Sequence, residues 1–494
     1  MRIKLITIFM FPCVFLFAQQ NTFIRTYNLD GMNGGLSLEV LDEGGFVGTG
    51  QHSYNGTCRT YVYRIDECGN IIWFNLYNNG GGMALDETFD GGVIIAENQA
   101  RILKLDASGD YEWERGYSNV SGYMTSVIQT IDSGYFAGGQ YGQLLKLDND
   151  GEVIWSASIS GVYVHAVDEF ANGDLMYFSW DGSTFWVGRV TNTGVLLWEN
   201  QYTAGNVSGD NHNDFAGEAL IDEQKARIIV ASNNSSNAGD VLIASIDFNG
   251  NLLESNVYGS TSNADFVRSV DMTDDGGYVL GGGTYGYNTT NINDITQISG
   301  VTPENLSGRD ILLFKVDSLL DFEWSSVIGC GGSDKAIGVR TNNDNGYTVS
   351  AYTDGSFFNA NYFDPLFIKT DSVGRVGCQQ YSPDLNQMPF TLITNSSSSL
   401  SLNSSTSTIN SVMQDPVFPA DYYMCLECNT TPFFTISDTT ICVGDTTYFL
   451  NSSSGLICFQ DWFIDGDLIT NYGDSIPFII MVIPNIFMVG SLLF

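Results

Sequence analysis

One stretch constrains this chain more than any other: Leu103 to Trp113, of which the first 385 residues read as looser copies. Apolar and polar residues alternate at period two, Asp106 to Gly109 supplies turn chemistry, and a second short strand ends on a large aromatic. Its aspartate recurs at Asp66, Asp106, Asp148, Asp247, Asp317 and Asp371, with Thr191 in the same slot of a further copy. Seven residues on stand Trp73, Trp113, Trp155, Glu254, Trp324 and Cys378, with Trp198 following Thr191. Seven copies of a hairpin that cannot bury both faces alone imply a repeat architecture.

Each repeat reads as four strands. In the third they are Ser126 to Thr130, Tyr135 to Gly139, Leu144 to Leu147 and Val153 to Ser156, with tight turns at Asp132-Ser133-Gly134 and Asp148 to Gly151. Asp66 to Asp371 spans 305 residues over six intervals, about 51 each, near the period of a four-stranded propeller blade. The expected fold is therefore all-β, a propeller of about seven blades, with the Trp column packed between neighbours. Phe23 to Tyr27 resembles Trp73 to Tyr77 and Trp113 to Tyr117, so it is expected to close the ring as the fourth strand of the last blade, leaving no open edge.

Asp317 to Gly346, running through Phe322-Glu-Trp324 and Gly329-Cys-Gly-Gly332, resembles the SBBP-type propeller repeat of exported bacterial proteins. The Leu-Asp-x-x-Gly-x-x-x-Trp pattern of Leu105 to Trp113 is similar to the PQQ-like propeller repeat. Ser108-Gly109 and Asp150-Gly151 stand where enzyme-type members carry Thr-Gly, so no cofactor is implied. These resemblances cover about residues 21 to 385 of a propeller expected over residues 19–385.

Residues 1–18 read as a signal peptide: Arg2 and Lys4, an apolar run Leu5 to Phe17, then Ala18 for cleavage. Residues 386–430 are rich in Ser, Asn and Thr and read as a linker or a poorly ordered strand pair. Residues 431–494 resemble the first half of a PKD-type immunoglobulin-like sandwich, with Trp462 as its core aromatic. The chain ends in a nearly uninterrupted apolar run, Ile476 to Phe494, expected as an incomplete gene end, with a membrane anchor as the alternative.

Without Arg2 and Lys4 the chain carries 17 basic against 56 acidic residues, a net charge of about −39, which disfavours nucleic acid and anionic membrane surfaces. Eight cysteines remain after Cys13, an even number that permits disulfides after export; Cys425-Leu-Glu-Cys428 has half the spacing of a zinc site and no second half. Nucleophile-elbow, Walker and His-Glu-x-x-His motifs are absent, and Gly281 to Gly286 fits a dinucleotide fingerprint without the helix it needs. The repeated Asp66, Asp106, Asp148, Asp317 and Asp371 sit in turns, all but Asp317 with a glycine three residues on, as turn caps do, so no metal or cofactor is expected, with calcium the one candidate.

The expected function is extracellular or cell-surface binding and adhesion, non-catalytic, by a monomeric propeller; the alternative is a secreted polysaccharide hydrolase or lyase with carboxylates in the funnel. Length variation falls on one side of the propeller, in Gln51 to Arg59, Thr203 to Phe215, Asn233 to Asp240, Thr284 to Arg309 and Thr353 to Asp364. Tyr285, Tyr287, Asn288, Phe357, Phe358 and Tyr362 in those loops combine flat rings with amides and hydroxyls, which suits a glycan or a protein partner.

Overall fold

In a computed structural model of the chain, every copy of the repeat becomes one antiparallel four-stranded blade. The structure describes most of residues 22–400 and short strands from there to 479; residues 1–21, 205–216, 235–239, 286–294, 297–308, 354–363 and 480–494 are among those outside it. The signal-peptide reading falls there, as does the end of the apolar tail.

Blade 1 runs outward through Met32–Val40, Phe46–Tyr54, Thr57–Ile65 and Ile71–Asn78, here called strands a to d. Blades 2 to 6 repeat the order, from Gly82–Glu87 to Phe322–Ile328. Blade 7 takes strands a to c from Asp334–Thr341, Tyr347–Thr353 and Asp364–Thr370, and its strand d from Thr22–Asn28 at the start of the chain. Phe23 pairs with Lys369 and Thr26 with Leu366, so seven blades close as a ring.

The blades are joined by one recurring contact. Each c–d turn needs a residue at positive φ, and glycine supplies it at Gly69, Gly109, Gly151, Gly194, Gly250 and Gly374. The bare backbone there receives the large strand-d aromatic of the preceding blade. A Cβ on Gly109 would lie 2.9 Å from the Trp73 ring, and the same holds for Trp113 on Gly151, Trp155 on Gly194, Trp198 on Gly250 and Trp324 on Gly374. Four residues further along, Tyr117 and Tyr202 donate hydrogen bonds to the carbonyls of Gly151 and Gly250 at 3.1 and 2.7 Å. Tyr77 and Tyr258 do likewise to Gly109 and Leu320. At the closure Phe23 replaces the Trp on Gly69, and the Tyr27 hydroxyl donates to the Gly69 carbonyl at 2.5 Å. The closing strand thus makes the same junction as the others.

Each turn aspartate caps its own backbone. Asp106 Oδ1 accepts from Ser108 and Asp110 N–H, Asp66 Oδ1 from Cys68 and Asn70, and Asp148 Oδ1 from Asp150 and Glu152. Asp317 and Asp371 repeat the pattern. A second polar pairing lies on the blades: Lys104, Lys146, Lys315 and Lys369 of strand c reach Asp90, Asp132, Asp275 and Asp344 of the a–b turn at 2.6 to 3.0 Å. Arg189 reaches Asp174 in blade 4 at 2.7 Å.

The Ser/Asn/Thr-rich stretch is not a linker. Gln380–Pro383, Asn386–Pro389, Leu392–Ser397, Ser401–Asn403, Ser407–Thr408, Gln414–Pro416 and Ala420–Glu427 add a fifth strand to blades 6, 5, 4, 3, 2, 1 and 7 in that order. The chain therefore circles the ring backwards after completing it, and the propeller unit runs from Thr22 to Glu427 rather than ending at 385. These strands satisfy the outer edges of strand d through backbone pairing, which is why low apolar content suffices. Leu385 and Leu392 are buried, whereas Asn386, Met388 and Thr394 to Ser396 are exposed.

The remaining residues from Cys428 belong to a separate unit. In it Phe434–Ile436, Thr446–Asn451 and Ser475–Ile479 form an antiparallel sheet, and Trp462–Ile464 pairs with Asp467–Ile469. The apolar tail therefore begins as a sheet strand. Among the described residues no helix is long and apolar enough to cross a membrane.

Replacing Phe23, fully buried at the closure, with Ala should destabilise the propeller by about 3–5 kcal/mol. Replacing exposed Ile393 of the outer strand with Ala should cost under about 0.5 kcal/mol. Thermal or denaturant unfolding of the two variants checks the difference; equal effects would mean that Thr22–Asn28 is not an integral strand.

Candidate functional site

Seven a strands surround the axis, and a register shift at the same place in six of them, such as Gly82/Ala84 and Val267/Ser269, re-aims their side chains. The residues following the shift line an axial cavity of about 280 Å³. Glu39, Asp86, Asp168, Asp271 and Arg340 occupy equivalent positions in blades 1, 2, 4, 6 and 7, with Glu218 contributed by blade 5.

Most of these groups hold neighbouring blades together. Asp86 Oδ2 accepts the Gln129 N–H at 2.7 Å, Asp168 Oδ2 the Ile221 N–H at 2.8 Å, and Asp271 Oδ2 the Thr341 N–H at 2.7 Å. Glu218 Oε2 accepts from Val270 N–H at 2.9 Å, and Ser37, Ser126 and Ser269 accept from the next a strand in the same way. Arg340 bridges the two glutamates, donating to Glu39 at 2.8 Å and Glu218 at 3.2 Å.

Five carboxylates crowd a cavity whose lining includes two arginines, Arg268 and Arg340. Burial first, then the Glu39 charge, pushes the Asp86 carboxyl up to about 8. Burial outweighs its two backbone hydrogen bonds and brings Asp168 to about 6. His165 is held neutral, its pKa lowered to about 3 by burial and then by Arg268. Chemically the cavity offers a neutral acid at pH 7, Asp86, beside two glutamates bridged by Arg340.

The structure places the sequence-expected loop residues only in part. Tyr285 ends strand b of blade 6; its ring lies 4.3 Å from the Arg309 guanidinium and 6.1 Å from Phe266. Tyr287, Asn288, Phe357, Phe358 and Tyr362 lie outside the described residues. A comparable pair that sequence reading missed, Lys335 over the Tyr352 ring at 5.4 Å, stands at the foot of the 354–363 loop in blade 7. Within the Thr284 to Arg309 insertion, Ile295–Thr296 pairs with Ser382–Pro383 of the outer belt, so part of that loop reaches the rim. The axial residues were also missed, though a signal exists: Asp86, Asp168, Asp271 and Arg340 each precede an a–b turn residue, Asp90, Asn172, Asp275 and Asp344, by four positions. Among the described residues no group of three or more metal-ligating side chains is assembled.

The sheets define a seven-bladed β-propeller. Solved structures similar to it include the WD40 β-propeller domain of Doa1, 12% identical, covering 69% of this chain and 95% of that one with a TM-score of 0.44. Another is Sqt1 from Chaetomium thermophilum, also 12% identical, covering 68% and 85% with a TM-score of 0.42. No family profile and no curated protein matches the sequence.

The axial acids make a stability prediction. Asp86 and Asp168 keep protons in the folded chain that the unfolded chain releases near about pH 4. Because their folded pKa values are raised, to about 8 and about 6, this stability is fully present below about pH 4 and lost as pH climbs through those values. Asp275 runs the other way: burial would raise it, but hydrogen bonds from Lys315, Thr273 and Gly277 lower it to about 2, so its share disappears as pH falls toward that value. In a chelating buffer the melting temperature should fall from pH 5 to pH 8, and Asp86→Asn, which keeps an acceptor for Gln129, should flatten that fall. Calorimetric scans across the range check it; an unchanged slope would show that Asp86 is ionised throughout.

Proposed function

We propose that the protein is an exported binding protein that presents the long-loop side of its propeller to an extracellular glycan or protein. One observation carries the reading: in adjacent blades 6 and 7, at the roots of the two large b–c loops, a tyrosine is held by a cation, Tyr285 by Arg309 and Tyr352 by Lys335. A ring fixed in this way presents apolar area at low entropic cost, as recognition of a sugar face or a protein hot spot requires. The loops that follow carry Tyr287, Asn288, Phe357, Phe358 and Tyr362. Export is supported by the basic and apolar start of the chain and by Cys68, which is disulfide-bonded. The SBBP-type resemblance and the PKD-like reading of residues 431–494, as a spacer module, agree with a surface protein.

A second reading, a polysaccharide hydrolase, rests on Asp86, whose carboxyl is an acid at neutral pH in the axial cavity.

A glycan array probed with the full chain and scored for both retention and product release separates the two. Binding without release is expected, and the double variant Tyr285→Ala, Tyr287→Ala should weaken it at least about tenfold, a modest hot spot, with little change in melting temperature. Release that is abolished by Asp86→Asn would establish the hydrolase instead; intact affinity in the double variant would remove these rings from the site.

A further inference from the structure

On the loop side of blades 5 to 7, aspartate is the first or second residue of five strands: strand c of blade 5 with Asp240, strands a and c of blade 6 with Asp265 and Asp310, and strands a and c of blade 7 with Asp334 and Asp364. Asp310 pairs with Thr284, which also pairs with Asp265, and Thr353 likewise pairs with Asp334 and Asp364. The row Asp-Thr-Asp therefore repeats across two consecutive blades. All five carboxylates are 3% exposed or less, and Asp310, Asp334, Thr284 and Thr353 are wholly buried.

Buried carboxylates normally have donors or a cation beside them. Asp310 has neither: both of its oxygens, and the Thr284 hydroxyl, are buried without a hydrogen-bond partner among the described residues. Burial first, and then the charge of Asp334 in the next blade, pushes the Asp310 carboxyl up to about 8. Asp240 is pushed to about 7 by burial and by Asp265 in the same way. Asp310 feels Asp334 through charge alone.

We infer that Asp310 and Asp334, with the Thr284 hydroxyl, bind a divalent cation of the calcium type between blades 6 and 7. The donors are all hard oxygens, which exclude soft metals and suit an ion that tolerates irregular coordination by carboxylate, hydroxyl, backbone carbonyl and water. The ion offsets the charge that Asp310 and Asp334 impose on each other and ties strand c of one blade to strand a of the next. Asp240 and Asp265 are the corresponding pair one blade earlier. Because Thr284 and Asp310 bracket the 285–309 segment, the ion also fixes the two ends of the largest loop.

The full chain, stripped with EDTA and dialysed, is titrated with CaCl2 by calorimetry at pH 7.5, and its melting temperature is followed with CaCl2, MgCl2 or EDTA. Calcium is expected to bind and to raise the melting temperature. Asp310→Asn should lose one bound ion and at least about tenfold in affinity, and should melt in EDTA no lower than the wild type because the like-charge pair is gone. Asp106→Asn, on an exposed turn, should keep the wild-type stoichiometry. Asp334→Asn supplies the same readout should Asp310→Asn not fold. A wild-type chain that binds no calcium, or Asp310 and Asp334 variants that keep its stoichiometry and affinity, overturns the site.

Discussion

The contact on which the ring depends is the seating of a strand-d aromatic on the bare c–d turn of the next blade. It explains why one short motif recurs when so much else drifts. The aspartate caps the turn, the glycine three residues later accepts the ring of the preceding blade, and the Trp seven residues after the aspartate is offered to the following blade. Each repeat carries both halves of the junction, so repeats add in only one order. The last junction must take its aromatic from elsewhere to complete the circle, and Phe23 with Tyr27 provides it.

Polar groups do the complementary work along the axis and at the a–b turns. Around the axial cavity the inner strands are joined by acids and serines that accept N–H groups from the next blade. The penalty of that choice is visible in the raised carboxyls of Asp86 and Asp168. On the blade faces the opposite holds: Lys146, fully buried, ends on Asp132, which is open to solvent, and so satisfies its charge without a second buried ion.

The propeller was legible because its junction leaves a one-dimensional trace, Asp, Gly and Trp at fixed spacing. Blade 5 shows the limit: Glu254 and Leu320 stand in the ring and glycine places, yet the Tyr258 hydroxyl still donates to the Leu320 carbonyl, so the junction survives on its tyrosine alone. The lysines two residues before the turn aspartates were equally regular and went unread, because a lysine on an alternating strand looks like a solvated face until its partner across the hairpin is known. The axial acids and the Asp310–Asp334 pair left still less signal, since each depends on a neighbour from another repeat. Of the loop residues proposed for binding, Tyr285 alone can be placed, and its ring is held by Arg309 and Phe266.

The outer belt was illegible for a different reason. A strand added to an existing edge needs no hydrophobic alternation; backbone hydrogen bonding to that edge defines it, and Ser, Thr and Asn serve as well as any residue. Seven strand-d edges exist only once seven blades exist, so the belt segments have no partners until the ring has formed. Its last strand, Ala420–Glu427, pairs with Thr22–Asn28, which also closes blade 7 against Asp364–Thr370. Both ends of the propeller unit are thus fixed in one sheet. Contacts of that sequence separation are costly in loop entropy and form late. The first strand of the unit is therefore held open until the last blade is complete, and the belt then covers the edge that the closing strand would otherwise leave exposed.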